Sequence, residues 1–316
     1  MSTPITLDDY RAAQARVQPY IRQTPLVNAH PWVPGGGTQV RFKAECQQVT
    51  GSFKARGAFN RVLNLSEEVR RQGLATASGG NFGAAVAYVG KTLGLPANVF
   101  VMNTSTLITR TRIESHGARL TVHGDFWDQS WDAAGASVAQ QGGALLHPYA
   151  DRDVVIGQGT TALEIIDEWP EVETLVVSIG GGGLIAGVAQ AAKLLKPSIR
   201  IIGVEAAGCP TLFTCREQGR IVKLENVKTL VPILAARSTE PLNFELIERY
   251  VDEIVLVDES TIKDAARAAW EHAGLGIELG AATALAAVTE FCFEHRDDEK
   301  MAVVLCGSGC DGMSAP

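Results

Sequence analysis

Tight cysteine spacing is missing from this chain. Its six cysteines (Cys46, Cys209, Cys215, Cys292, Cys306 and Cys310) are scattered. That pattern argues against a disulfide-stapled scaffold and for free thiols in a reducing compartment. Cys306 and Cys310 form a CxxxC, but no His or second CxxC stands at zinc-site spacing. A basic excess is missing too. The formal net charge is -7, and no cluster of Lys and Arg falls on a predicted face, which disfavours nucleic acid or an anionic membrane as partner. The apolar stretches near Leu175 and Ala281 are too short, or too broken by glycine, to span a bilayer. The opening MSTPITLDD carries neither the basic start nor the apolar core of a signal peptide. A cytoplasmic protein acting on a small molecule is the expectation, and no repeat or low-complexity tract alters it.

What remains is a globular composition. Hydrophobic residues make up 46% and charged residues 20% of 316, enough for two packed units. Apolar strand runs are expected at Val40–Ala44, Asn98–Met102, Thr174–Ile179, Arg200–Glu205, Ile254–Val257 and Met301–Cys306. Helical patterns alternate with them at Phe53–Asn64, Asn81–Leu93, Leu107–His116, Trp131–Gln141, Gly159–Trp169, Leu184–Leu195, Thr261–His272 and Ala281–Phe293. Continuously apolar strands such as LVVSI and MAVVL predict a parallel sheet covered on both faces, and so an α/β fold. Thr6 followed by Asp9 is a capping signal for a first helix. The irregular stretch His147–Ile156 suggests a crossing between domains, and Gly208–Pro241 reads as a long connection.

Four loops carry the chemistry. In TGSFKARGAFN, Thr50 to Asn60, Lys54 stands among Gly51, Ser52, Phe53, Ala55 and Gly57, none of them acidic. A desolvated amine of that kind makes a Schiff-base lysine, whereas a surface lysine at a helix start is the plainer alternative. Gly180 to Gly183 follow an apolar strand and open a helix, which suits a phosphate. Gly181, Gly183 and Ala186 also satisfy GxGxxA, with Glu205 ending the next strand, so a dinucleotide fold and a nicotinamide oxidoreductase remain a rival. Ala77 to Gly83 reads ASGGNFG; Ser78 and Asn81 suit a helix entry whose amides could hold a carboxylate, or merely a good cap. Leu305 to Asp311 sets Cys306 at the end of the last strand, where open α/β sheets bind ligands. An imine-forming lysine, a phosphate cup, a carboxylate loop and a strand-end thiol together suit pyridoxal phosphate.

On these residues the chain resembles the threonine/serine dehydratase family of fold type II (tryptophan synthase β-like) pyridoxal phosphate enzymes, from Thr24-Pro25-Leu26 to Asp311. Lys43, Glu45, Gln48 and Thr50-Gly51-Ser52-Phe53-Lys54 with Arg56-Gly57-Ala58 match the family's lysine motif. The resemblance implies two open twisted α/β domains with the cofactor between them: residues 1–45 with 151–316, and residues 46–150. It implies Lys54 as the Schiff-base residue and Phe53 against the cofactor ring. Ser78, Gly79, Gly80, Asn81 and Phe82 would form the substrate loop, with Asn81 also at the ring hydroxyl. Gly180, Gly181, Gly182, Gly183 and Leu184 would take the phosphate, and Cys306 would face the pyridine nitrogen. The implied reaction is loss of the β-hydroxyl from a hydroxyamino acid such as threonine or serine, in a homodimer as is common in the family. Racemisation, or dehydration of hydroxyaspartate or phenylserine, is the alternative. The chain departs from the family's SSGNH loop, with Gly79 at the second Ser and Phe82 at the His. Glu205 matches the first ligand of the family's divalent-cation site, but Thr211 stands where an Asp is expected, so no metal is expected there.

Overall fold

The computed structural model describes residues 3–29 and 39–310; Asp311, the end of the Cys306 loop, lies outside them. Among the described residues the strands are β1 Leu26–Asn28, β2 Gln39–Lys43, β3 Leu74–Ala77, β4 Ala97–Val101 and β5 Arg119–Val122, followed by β6 Ala144–Leu145, β7 Thr174–Ser178, β8 Arg200–Ala206, β9 Glu253–Val257 and β10 Lys300–Val304. The helices are α1 Leu7–Val17, α2 Lys54–Asn64, α3 Glu67–Gln72, α4 Asn81–Leu93, α5 Leu107–Glu114 and α6 Trp127–Gln141. They continue as α7 Arg152–Glu168, α8 Gly183–Leu195, α9 Thr211–Gln218, α10 Pro241–Tyr250, α11 Glu259–Ala273 and α12 Leu279–Thr289.

Two sheets organise the chain. One has the order β1-β2-β10-β7-β8-β9 and the other β5-β4-β3-β6. Every pairing is parallel except that of β1 with β2. Each residue of β7 is buried, as a parallel strand covered by helices on both faces requires. Helix α12 consists of small and apolar residues and is buried on all sides from Leu279 to Val288, which lets it lie close over β7, β8 and β9. The sequence-expected strands are β2, β4, β7, β8, β9 and β10, shifted by one or two residues at their ends. Thr6 and Asp9 form the expected capping box: the Asp9 carboxylate accepts from the Thr6 amide at 2.8 Å, and the Thr6 hydroxyl from the Asp9 amide at 3.3 Å.

Three expectations change. The stretch His147–Ile156 is irregular only to Asp151, whose carboxylate caps α7 by accepting from the Asp153 and Val154 amides at 2.8 and 3.2 Å. Helix α6 starts at Trp127 rather than Trp131. The supposed connection Gly208–Pro241 contains α9. The N-cap residue Pro210 offers no capping side chain; the cap comes instead from Glu205 at the end of β8.

The four chemistry-bearing loops follow the carboxyl ends of parallel strands. Lys54 comes after β2, Ser78 after β3, Gly180 after β7 and Cys306 after β10. This is the edge at which open α/β sheets bind ligands.

Candidate active site

The lysine loop reaches α2 through a sharp reversal. Thr50 and Gly51 both have positive φ, 63° and 69°. For the β-branched threonine this conformation costs about 1–2 kcal/mol. At Gly51 a Cβ would lie 2.2 Å from the Ser308 hydroxyl, so the turn demands glycine. Beyond it, Ser52 bridges to Gly307 and the Phe53 amide donates to the Cys306 carbonyl at 3.1 Å. Lysine loop and thiol loop are therefore stitched together.

Lys54 Nζ donates to the Pro148 carbonyl at 2.7 Å. It lies 5.0 Å from the Phe53 ring centre and 5.6 Å from that of Phe82. Burial lowers its pKa to about 8, against weaker opposing contributions from Cys306 and Glu278. Cys306 is buried, and that burial, reinforced by Glu278, holds its thiol well above the usual range, so it is neutral.

The glycine loop packs directly on Tyr149. A Cβ on Gly181 would meet the Tyr149 ring at 2.6 Å, and one on Gly183 the Tyr149 carbonyl at 2.3 Å. Gly182 needs φ of 90°. Asn243 and Thr239 donate to the Gly181 carbonyl at 2.8 and 3.1 Å. The loop carbonyl is thus tied down, and the first amides of α8 have no carbonyl one turn earlier to bond. Gly180 packs on Leu234, and Leu184 is buried at the first turn of α8.

At the other loop, the Ser78 hydroxyl accepts from the Gly80 amide at 3.3 Å. Asn81 is buried and opens α4. Its amide nitrogen donates to both oxygens of Glu278, at 2.8 and 2.9 Å, and its oxygen accepts from Arg112 at 3.1 Å. Gly80 packs on Ile233. Phe82, expected to meet substrate, is fully buried in the core of the smaller sheet, so only its ring near Lys54 touches the cleft region.

Glu278 and Arg112 were not singled out from the sequence. Glu278 is a lone acid ahead of the small-residue helix α12, and Arg112 sits in an ordinary amphiphilic stretch. Arg112 also donates to the Thr50 carbonyl. Only the tertiary fold brings both to Asn81.

Glu205 stands apart from this cluster. Its carboxylate accepts from the Leu212 and Phe213 amides at 2.9 and 2.8 Å, while burial raises its pKa to about 7. Its oxygens cap the N-terminus of α9. No group of three or more His, Cys, Asp or Glu with metal-holding geometry occurs among the described residues. No helix among them is long and apolar enough to cross a membrane.

The family model described as pyridoxal-phosphate dependent enzyme matches residues 17–307. The chain is 35% identical to an L-threonine ammonia-lyase of Thermotoga maritima, over 97% of this chain and 76% of that protein. It is 32% identical to a phenylserine dehydratase of Ralstonia pickettii, over 97% and 94%. Among solved structures, maize serine racemase superposes with a TM-score of 0.91 at 30% identity, covering 97% of this chain and 94% of that one. The nicotinamide alternative gives way to these matches. This chain belongs to the pyridoxal-phosphate dependent enzymes.

Proposed function

We propose that the chain eliminates the β-hydroxyl of a hydroxyamino acid, yielding a 2-oxo acid and ammonia. The observation that carries this reading is the placement of the Lys54 amine, which donates to the Pro148 carbonyl near the Phe53 and Phe82 rings and whose pKa burial lowers to about 8. An amine so tuned can both join an aldehyde and serve as a base near neutral pH. The threonine ammonia-lyase and phenylserine dehydratase among the relatives support the reaction class.

The residues fit the cofactor. Glycines at 181 and 183 let the loop nest on Tyr149, leaving the first amides of α8 as donors for a phosphate. Gly180 to Gly183 and Leu184 would hold that group, Phe53 would pack on the ring, and Asn81 would meet the ring hydroxyl. The neutral Cys306 thiol would face the ring nitrogen. Bound pyridoxal phosphate supplies an aldehyde for Lys54 and an electron sink for charge left at the substrate Cα.

Ser78, Gly79, Gly80, Asn81 and Phe82 would receive the substrate carboxylate on their backbone donors and orient the Cα–H bond. Lys54 would remove the Cα proton as general base. A neutral thiol facing the ring nitrogen would favour prompt departure of the β-hydroxyl. Gly79 has no hydroxyl to act as a second base, which favours elimination over racemisation. We take residues 1–45 with 151–316, and residues 46–150, as two domains flanking this cleft.

The test is to incubate the holoenzyme with a panel of hydroxyamino acids and assay 2-oxo acid against inverted amino acid. Oxo acid in excess is expected; inversion without oxo acid would overturn the proposal.

A further inference from the structure

The carboxylate-suited loop and the glycine loop are joined by two apolar bridges. The first is aromatic. Trp127 and Trp131, one helical turn apart on α6, stack with centroids 5.3 Å apart and planes at 16°. His147 stands edge-on to Trp131 at 4.9 Å and to Trp127 at 5.9 Å, and Tyr149 edge-on to His147 at 4.5 Å. One end is pinned where the Trp127 indole donates to the Ala77 carbonyl at 2.9 Å, next to Ser78. The other end is the Tyr149 ring lying against Gly181. Between His147 and Tyr149 is Pro148, whose carbonyl holds the Lys54 amine.

The second bridge is aliphatic. Ile233 lies on Gly80 and Gly280, and its neighbour Leu234 lies on Gly180. Ile233 keeps 41% of its surface exposed.

Charge is sparse along this passage. Burial, aided by the neighbouring Lys54, lowers the His147 pKa to about 4, so the ring is neutral and offers no cation. Burial, with Glu240 and Asp128 nearby, pushes the Tyr149 phenol up to about 12. The one ion pair reaching over α6, Lys223 to Asp128 at 3.3 Å, is well exposed on both sides. None of the four rings therefore offers a counter-ion to a second carboxylate.

We propose that the aromatic and aliphatic bridges form the side-chain pocket of the site and select a bulky uncharged β-substituent, making 3-arylserines the preferred substrate class. This rests on the elimination reading, in which the substrate carboxylate and the cofactor phosphate occupy the two loops that the bridges connect. An aryl group stacks offset or edge-on against such rings, and a methyl group has no ring to stack.

Two measurements on the holoenzyme test it. The first compares kcat/KM for oxo acid release from 3-phenylserine, threonine and 3-hydroxyaspartate. An excess of about 10²-fold for phenylserine over threonine is expected, because even a single methylene in an apolar pocket is worth about 10–200-fold. Equal or better turnover of threonine or hydroxyaspartate would overturn the proposal. The second titrates L-phenylalanine, L-alanine and L-aspartate, which have no β-hydroxyl to lose, and reads the change in cofactor absorbance. Tighter binding of phenylalanine is expected. If no substrate yields oxo acid while phenylalanine still binds tightest, the pocket stands and the elimination reading falls. If oxo acid forms without aryl preference in either measurement, the reverse holds. Trp127→Ala should cut the phenylserine-to-threonine ratio about tenfold, mainly through KM. Trp127→Phe, which keeps an apolar ring and loses only the bond to Ala77, should retain most of it; an unchanged ratio in Trp127→Ala would contradict the assignment.

Discussion

Two lysines eleven positions apart end in opposite surroundings. Lys43, at the end of β2, is fully buried and bonds Glu164 and the Thr24 carbonyl, each at 2.6 Å. Arg56 completes that network with two bonds to Glu45, at 2.7 and 2.8 Å, and two to Glu164, at 2.6 and 2.8 Å. Lys54, two residues before Arg56 on the same helix, has only the Pro148 carbonyl. One face of the first turn of α2 is thus anchored by paired charges, and the other presents an amine that burial pushes toward neutrality. Buried ion pairs add little net stability over apolar packing, yet removing one partner leaves the other uncompensated. The network is best understood as the fixed base on which a reactive amine is aimed.

Substituting the two lysines should separate these roles. Lys54→Met is expected to lower turnover by at least about 10³-fold through loss of the base. The same change should raise stability. Lys54 has a folded pKa of about 8, below a lysine's ordinary 10.5, so its charged form is disfavoured in the folded state. The penalty is fully present below pH 8 and fades as pH rises toward 10.5. Thermal melting of the cofactor-free protein at pH 7 should therefore favour Lys54→Met over the parent by on the order of 2 kcal/mol. A destabilised variant would contradict the comparison.

Lys43→Met should do the reverse. Loss of about 3 kcal/mol is expected because Glu164 keeps its burial and loses a partner. That corresponds to a fall in Tm of about 6–12 °C, with cofactor absorbance retained in the fraction that stays folded.

Capture of added pyridoxal phosphate by the cofactor-free protein sharpens the contrast kinetically. The neutral amine is the nucleophile, so the second-order rate should rise with pH and level off above about 8. A rise continuing past pH 10 would mean that Lys54 titrates as an ordinary lysine.

The smallest effect is expected at Cys306. Thiol and hydroxyl are both neutral at the ring nitrogen, so Cys306→Ser should change kcat by less than about threefold, checked by steady-state kinetics. A loss of 10²-fold would assign the thiol a more direct part.

Much of this arrangement was legible along the chain. Gly180 to Gly183, Lys54, Asn81 and Cys306 sit in short contiguous motifs, and a parallel sheet carries such motifs to its carboxyl edge without further information. Glu278 and Arg112 were not legible, because each meets Asn81 only through the tertiary fold, across 197 and 31 residues of chain. Helix α9 escaped notice because its cap, Glu205, stands on the preceding strand rather than at the N-cap position. Phe82 was placed in the substrate loop from its motif; its ring is packed in the core of the smaller sheet while lying 5.6 Å from the Lys54 amine, which the motif alone does not announce. The aromatic bridge is spread over two segments, 127–131 and 147–149, so no local pattern announces it.

Borohydride reduction of the holoenzyme, followed by peptide mass mapping, tests the central claim most directly. The account predicts a pyridoxyl group on Lys54, absent from Lys54→Met. A label on Lys43 or any other lysine, or no label on a yellow enzyme, would contradict it.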